Sequence, residues 1–351
     1  MEINSNHNQT KKKYLNAMMN QVSRSFALVT PCLEDPLNDQ IATAYLICRV
    51  IDNIEDSNRS SSWQNQRFAE CRQLLINPKG ASSVLSHWDQ MNWPGLSPGE
   101  RKLMGVEDGL TLWKIYLQFP DEIKYIITNW VSAMAVGMSG IKSLTNDPYF
   151  IIRNGTLISD AEEDYNQYCY YVAGTVGHLA TELAVSHYKL TDSVANRLLV
   201  NCEACGRGLQ KTNIIKDFAK DLARGICYLP NDWLREVDYI PLSLSGAPLH
   251  WKRKVLLDIL DELRASVDYV LDIPYSATGY RMASLLCLLP AYETISMAAE
   301  NQSQLFTADH HVKISRETMF RCMQGAQAMV NCNDDIVKYG RDRSSKIMEN
   351  L

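Results

Sequence analysis

Apolar residues recur every three or four positions along most of the chain, which is the period of an amphipathic helix. Between residues 37 and 54, for example, Ile41, Ala44, Cys48 and Ile51 fall on one helical face. Alternating apolar and polar positions, the pattern of a half-buried strand, are few and short. The pattern therefore predicts an all-α protein.

Polar, glycine and proline residues divide this pattern into separate helices. Helical periodicity begins near residue 14, and residues 78–97 are loop-rich because they include Gly80, Pro94 and Gly95. The predicted helices cover residues 37–54, 63–75, 98–119, 121–142, 161–188, 192–222, 249–271, 280–301 and 315–338.

No linker rich in proline, glycine or serine divides the helical pattern, so one domain is the economical interpretation. We expect a disordered N-terminal tail at residues 1–13, a single helical domain at 14–338 and a polar C-terminal tail at 339–351.

Composition narrows the class of protein. The chain has 351 residues, of which 46% are apolar and 21% charged, as in an ordinary globular protein. The net charge of −5 argues against a general nucleic-acid surface. The chain opens without a secretory signal, so we expect reduced cysteines and a cytoplasmic location. Residues 282–299 are the most apolar, but Pro290 and Glu293 interrupt them, which favours a buried core helix over a membrane anchor.

Two acidic motifs stand out, DNIED with Asp52 and Asp56, and DFAKD with Asp217 and Asp221. Aspartates four residues apart stack on one helical face, where they repel each other unless a cation lies between them. Each motif alone is compatible with a solvated helix face, but both follow apolar turns, where unused carboxylates are costly. If the two helices face each other across a cavity, the carboxylates could hold Mg²⁺ ions that clamp a diphosphate.

Basic and polar residues accompany both motifs. Arg49 precedes Asp52 by one turn, and Gln210 and Asn213 precede the second motif. Residues 23–25 (SRS) begin a helical segment, where backbone amides and an arginine suit phosphate.

Four segments together resemble the squalene and phytoene synthase family. They are SRSF at residues 23–26 with YLICRVIDNIED at 45–56, YCYYVAGTVG at 168–177, GLQKTNIIKDFAKD at 208–221 and VKISR at 312–316. The resemblance covers roughly residues 14–335. The segment QKTNII at 210–215 is closer to the motif of the family's squalene synthases than to that of its phytoene synthases.

The resemblance implies a single-domain helical bundle of the isoprenoid synthase type around a central cavity. It implies that two farnesyl diphosphates condense head to head through presqualene diphosphate to squalene, with Mg²⁺ and NADPH as cofactors and peripheral membrane contact during product release. A non-reducing relative that makes dehydrosqualene or phytoene is the alternative. A catalytically inactive member that acts as an interaction protein is the remote one.

The resemblance also implies roles for individual residues. Tyr168 would handle a proton near the reacting carbons. Metal binding would fall to Asp52, Glu55, Asp56, Asp217 and Asp221. Substrate binding would fall to Ser23, Arg24, Phe26, Tyr45, Arg49, Gln210, Asn213, Leu286 and Cys287. NADPH would meet Lys216, Lys313 and Arg316, although Ser315 stands where reducing relatives carry a second basic residue.

Overall fold

The computed structural model describes residues 2–23, 25–140, 150–153, 156–307 and 312–351. The chain forms two compact units, Met1–Ser143 with Leu179–Leu190, and Leu144–His178 with Thr191–Leu351. Both units are built almost entirely of helices, which confirms the predicted all-α class. The expected domain limits at residues 14 and 338 stay a prediction.

The first unit contains a run of helices joined by short connections. They are α1 Glu2–Val22, α2 Phe26–Val29, α3 Leu37–Asp56, α4 Ser61–Ile76, α5 Ala81–Asp89, α6 Pro98–Met104, α7 Val106–Leu117 and α8 Asp121–Gly140.

Helix α1 replaces the disordered tail expected at residues 1–13. Lys11 Nζ lies 2.6 Å from Asp39 Oδ2 on α3, and the Tyr14 hydroxyl donates to the Asp108 carbonyl oxygen on α7 at 2.5 Å. Leu15 is 1% exposed. Contacts with residues distant in sequence therefore hold a polar segment that composition alone predicts to be disordered.

Helix α3 carries the first acidic motif at its C-terminal end. Leu46, Val50 and Ile54 on this helix are completely buried, and such side chains stabilise a fold by about 1.5–3 kcal/mol each. The helix ends after Asp56 because Ser57 is extended, while its backbone N–H still donates to the carbonyl oxygen of residue 53. The apolar face is thus fixed in the core, and the motif lies where the helix ends.

Two predictions in this unit are wrong in detail. Residues 98–119 form two helices rather than one, because Gly105 adopts an extended backbone between α6 and α7. Residues 78–97, predicted to be loop-rich, include α5, on which Leu85 and Trp88 are completely buried.

The second unit combines long helices with a small sheet. The helices are α9 Glu162–Cys169, α10 Thr175–Tyr188, which continues into the first unit, α11 Asp192–Ala223, α12 Asn231–Glu236, α13 Leu249–Asp272, α14 Thr278–Glu300, α15 Arg316–Met329 and α16 Asn333–Asn350. The strands are β1 Phe150–Arg153, β2 Thr156–Ser159 and β3 Ile226–Cys227.

The sheet has the order β1-β2-β3. Strands β1 and β2 are antiparallel with Phe150 opposite Ser159, and β2 and β3 are parallel with Leu157 opposite Ile226. These strands were not predicted from the sequence, because segments of two to four residues are too short to show an alternating pattern.

A π-helical turn, Tyr170–Gly174, separates α9 from α10, where the sequence predicted one continuous helix at 161–188. Two glycines let the neighbouring α11 approach this region closely. A Cβ on Gly206 would lie 2.1 Å from the Ala173 carbonyl oxygen, and one on Gly177 would lie 2.3 Å from the Cys202 carbonyl oxygen. Only glycine fits at such distances.

Helices α15 and α16 occupy the region where one helix at 315–338 and a polar tail at 339–351 were expected. Ile336 and Ile347 on α16 are buried, and Arg343 Nη2 pairs with Glu293 Oε1 on α14 at 2.9 Å. The C-terminal segment is therefore helical and packed, despite its polar composition.

One helical segment among the described residues, Tyr275–Glu300, is long and apolar enough to cross a membrane. However, 72% of its most apolar 18-residue window is buried within the protein, as the sequence analysis expected of a core helix.

Candidate active site

Arg49 connects the first acidic motif to a neighbouring helix. Its Nη1 atom lies 3.6 Å from Asp52 Oδ2, and its Nη2 atom donates to Glu100 Oε1 on α6. Glu100 Oε2 also accepts from the Ser97 backbone N–H at 2.7 Å, within the capping box that begins α6. The Arg49 guanidinium thus lies between two carboxylates.

The electrostatic environment of Asp52 is unfavourable for an isolated carboxylate. Burial raises the pKa of Asp52 to about 7. Arg49 opposes this shift in pKa, whereas the nearby carboxylates of Glu55, Asp56 and Glu100 add to it. A positive ligand beside Asp52 would favour its charged form. The oxygen donors of this motif are those that suit a hard cation.

The metal-binding residues predicted on α3 differ in exposure. Glu55 is only 5% exposed, while the Asp52 side chain is 26% exposed and Asp56 is half-buried. Within the described residues, no group of three or more His, Cys, Asp or Glu side chains is arranged to hold a metal ion.

Aromatic residues predicted to line the tunnel meet beside this motif. The rings of Phe26 and Tyr45 stack with centroids 4.6 Å apart. Burial raises the pKa of Tyr45 to about 12, while a hydrogen bond with Ser23 opposes the shift. The Ser23 hydroxyl oxygen also accepts from the Phe26 backbone N–H at 3.2 Å. Arg24, a predicted diphosphate contact, lies outside the described residues.

The second acidic motif lies near the C-terminal end of α11, which is about 48 Å long for its 32 residues. Lys216 Nζ donates to Asn213 Oδ1 at 2.6 Å and lies 3.3 Å from Asp217 Oδ2. The Asp217 side chain is 45% exposed. Asn213, Lys216 and Asp217 therefore form one polar group, which adds Lys216 to the predicted neighbours of the motif.

Asp221 has its own basic neighbour. Arg224 Nη1 lies 3.8 Å from Asp221 Oδ1, and the Asp221 side chain is 16% exposed. Gln210, two turns before Asp217, is half-buried. Each acidic motif therefore combines two aspartates with at least one cation, which is the combination that suits a metal-bound diphosphate. That the two motifs share one cavity stays a prediction.

Tyr168 is the predicted proton-handling residue on α9. It is 3% exposed, and its ring stacks on Tyr228, with centroids 4.5 Å apart and an interplanar angle of 16°. Tyr228 follows β3 directly, so the small sheet, which the sequence analysis missed, helps to place this pair.

The remaining predicted residues lie in the second unit. On α14, Leu286 is 2% exposed and Cys287 is half-buried. Lys313 and Arg316 are exposed. Ser315 caps α15, because its hydroxyl oxygen accepts from the Thr318 backbone N–H at 3.0 Å.

The second unit also contains two cavities of about 550 and 540 Å³. Neither lining includes a predicted site residue. The second of them is lined by a network of opposite charges around Arg207 and Lys211, with Glu203, Asp258 and Glu262 as partners.

Residues 19–318 match the squalene/phytoene synthase family. The chain belongs to this family. That membership confirms the resemblance seen in the four sequence segments.

Curated relatives agree at modest identity. Squalene synthase from Saccharomyces cerevisiae is 26% identical over 339 residues, which cover 94% of this chain and 70% of that protein. Squalene synthase from Candida albicans is 28% identical over 217 residues, covering 61% of this chain and 44% of that protein. The chain thus spans 44% and 70% of the lengths of these two relatives.

Solved structures share the fold. A complex of TcSQS with the ligand BPH1237 superposes with a TM-score of 0.76 at 21% identity, covering 97% of this chain and 100% of that one. A dehydrosqualene synthase in complex with a ligand gives a TM-score of 0.61 at 17% identity, covering 92% and 97%. The predicted isoprenoid synthase type of helical fold is thereby confirmed.

Proposed function

We propose that this protein condenses two farnesyl diphosphates head to head, through presqualene diphosphate, to squalene, with Mg²⁺ and NADPH as cofactors. The observation that carries the proposal is the pairing of carboxylates with cations in both motifs, Asp52 with Arg49 and Asp217 with Lys216. A diphosphate needs both kinds of group, since cationic side chains meet its oxygens directly and carboxylates reach them through a metal.

Mg²⁺ fits the donor set of the two motifs. Asp52, Asp56, Asp217 and Asp221 would hold it through oxygen atoms, with Glu55 supporting a metal-bound water. When bound, Mg²⁺ neutralises the charge that develops on a departing diphosphate. Arg49 would orient one diphosphate, while Ser23, Arg24, Gln210 and Asn213 would provide further polar contacts.

The buried aromatic residues suit the hydrocarbon part of the substrate. Phe26 and Tyr45 offer a stacked apolar surface, and Leu286 and Cys287 would extend it. Excluding water protects reactive carbocations from premature capture. Tyr168 would take part in proton handling through its hydroxyl group, in surroundings that are almost fully buried.

NADPH, when bound, would supply the hydride that distinguishes squalene from its dehydro analogue. Lys313 and Arg316 are exposed and could meet a phosphate group, whereas Lys216 is held by Asn213 and Asp217. Ser315 is engaged in capping α15 and brings no charge to this segment. The missing charge at position 315 favours a non-reducing dehydrosqualene or phytoene synthase as the second candidate.

Product analysis tests both candidates. Purified protein is incubated with farnesyl diphosphate and Mg²⁺, with and without NADPH, and the extracted hydrocarbons are identified by mass spectrometry. We expect squalene when NADPH is present. A product that NADPH does not change would identify the non-reducing activity. In a parallel incubation with geranylgeranyl diphosphate, consumption of that substrate alone would indicate a phytoene synthase.

Substitution of the aspartates tests the acidic motifs. We expect Asp52→Asn and Asp217→Asn to abolish turnover while circular dichroism and the melting temperature stay close to those of the unmodified protein. Asp261→Asn is the matched control, because Asp261 is 71% exposed on α13 and outside both motifs. Retained turnover in both motif variants would contradict the proposal. A catalytically inactive interaction protein would be indicated if the unmodified protein turned over neither farnesyl diphosphate nor geranylgeranyl diphosphate.

A further inference from the structure

Glu100 on α6 accepts hydrogen bonds from two residues of α3, one before and one after Asp52. Its Oε1 atom accepts from Arg49 Nη2, one turn before Asp52. Its backbone carbonyl oxygen accepts from Asn53 Nδ2 at 3.1 Å, directly after Asp52. Asn53 is completely buried, so this second contact is shielded from solvent. One residue outside the motif therefore fixes the helix segment that presents Asp52.

The Glu100 side chain is itself held in one orientation. Its Oε2 atom accepts from the Ser97 backbone N–H at 2.7 Å, and its own backbone N–H donates to Ser97 Oγ at 3.3 Å. This reciprocal pair is a capping box, which satisfies backbone donors at the start of α6. Burial alone would raise the pKa of Glu100, but the Ser97 N–H and the Arg49 guanidinium together lower it.

The Arg49 guanidinium is planar, so its contact with Glu100 also determines how it lies relative to Asp52. A guanidinium presents its donors in a rigid fork, so fixing Nη2 on Glu100 also fixes Nη1, which lies 3.6 Å from Asp52 Oδ2. Without the Glu100 charge, Asp52 would be the main carboxylate partner left for Arg49. Closer pairing would neutralise Asp52 and turn the arginine away from other anions.

We propose that Glu100 is a positioning residue for the first acidic motif. It holds Arg49 so that the arginine can meet a diphosphate oxygen while Asp52 stays available to Mg²⁺. This inference rests on the proposed function, because it assumes that the motif binds a metal-bound diphosphate. Nothing in the sequence indicates the contact between Glu100 and Arg49, since the two residues are 51 positions apart.

Binding of Mg²⁺ with inorganic pyrophosphate, measured by isothermal titration calorimetry, tests the proposal without turnover. We expect Glu100→Gln, which keeps the shape and removes the charge, to weaken this binding roughly tenfold, the size usual for residues that orient a metal site. Ser97→Ala is the matched control. It removes Ser97 Oγ, which accepts from the Glu100 backbone N–H, but keeps the Ser97 backbone N–H that holds the Glu100 carboxylate. We expect it to lower the melting temperature while leaving the affinity unchanged.

Several results would overturn the inference. They are an unchanged affinity in Glu100→Gln, an equal loss of affinity in Ser97→Ala, and no binding of the probe by the unmodified protein. If Glu100→Gln does not fold, Glu100→Asp replaces it, and a similar loss is expected because the shorter carboxylate no longer reaches Arg49 Nη2. The product assay separates this test from the proposed function. An unmodified protein that makes squalene, with a Glu100→Gln variant that binds the probe normally, refutes the role of Glu100 alone.

Discussion

The rings of Tyr168 and Tyr228 stack almost in parallel, with an interplanar angle of 16°. Tyr168 comes from α9 and Tyr228 from the residue after β3, so the pair joins two segments that are 60 positions apart in sequence. Both rings are nearly buried, at 3% and 6% exposure. The stack holds the ring of Tyr168 against Tyr228, so the ring position depends on a contact that does not involve the hydroxyl group.

This geometry allows the hydroxyl and the ring of Tyr168 to be tested separately. Tyr168→Phe keeps the stacked ring and removes the proton-handling group, so we expect the turnover number to fall about 10²–10⁴-fold with little change in melting temperature. Tyr228→Phe is the matched control and should retain most of the turnover. Equal losses in the two variants would show that both hydroxyls matter, and no loss in Tyr168→Phe would exclude its role as proton carrier.

The close approach of α11 to the π-helical turn at 170–174 depends on Gly206. A Cβ at this position would lie 2.1 Å from the Ala173 carbonyl oxygen, so Gly206→Ala forces the two segments apart. We expect a loss of unfolding free energy of about 1–3 kcal/mol, as for other overpacked core positions. Urea denaturation followed by circular dichroism measures it.

Gly325→Ala on α15 controls for the general effect of alanine in a helix. The nearest atom to a Cβ there is Leu289 Cδ2 at 3.5 Å, an ordinary contact. We expect this variant to be as stable as the unmodified protein or up to about 1 kcal/mol more stable. If both variants gained stability, the steric argument at Gly206 would be wrong.

The helices with strong apolar periodicity were predictable, while those that depend on distant contacts were not. The sequence predicted a helix at 192–222, and α11 spans Asp192–Ala223. The sequence did not predict α1, whose polar residues contact partners on other helices, such as Asp39. The sequence also predicted one continuous helix where the structure has the π-helical turn at 170–174, which α11 approaches closely at Gly206.

In the candidate site, too, local groupings were predictable from sequence and contacts between distant residues were not. The spacing of Asp217, Lys216 and Asn213 follows from helical geometry, so their grouping could be predicted from sequence. The contact of Arg49 with Glu100 could not, since it requires knowing that α6 lies against α3. The Ser97–Glu100 capping box is a local signal that indicates where α6 begins, but nothing in it reveals the second partner of the carboxylate.

Lys211 is a buried charge whose removal should be costly. Its side chain is 2% exposed, and Nζ lies 2.8 Å from Asp258 Oδ1 and 3.2 Å from Glu262 Oε1. Lys211→Met removes the cation and leaves these carboxylates short of a partner, so we expect a destabilisation of about 3–5 kcal/mol by urea denaturation. Lys254→Met is the control, since Lys254 is 38% exposed and pairs with Glu236 at the surface. Its cost should stay below about 1 kcal/mol.

Buried thiols should make the protein less stable in alkaline solution. Burial raises the pKa of Cys71 and of Cys227 to about 12, from an ordinary value of 9.0. Between these values the folded protein keeps protons that the unfolded chain has lost. The stability from these thiols is therefore fully present below pH 9 and is lost as the pH rises towards 12, by up to about 1.4 kcal/mol per pH unit for each thiol.

Urea denaturation under reducing conditions, repeated from about pH 8 to about pH 10, measures this loss as a slope of unfolding free energy against pH. We expect Cys71→Ala to lower the stability at pH 8, because it leaves a small cavity, and to reduce the slope, because one buried thiol is gone. The two effects are separable, since a cavity costs the same free energy at every pH whereas proton linkage does not. An unchanged slope in Cys71→Ala would show that this thiol does not contribute to the alkaline loss of stability.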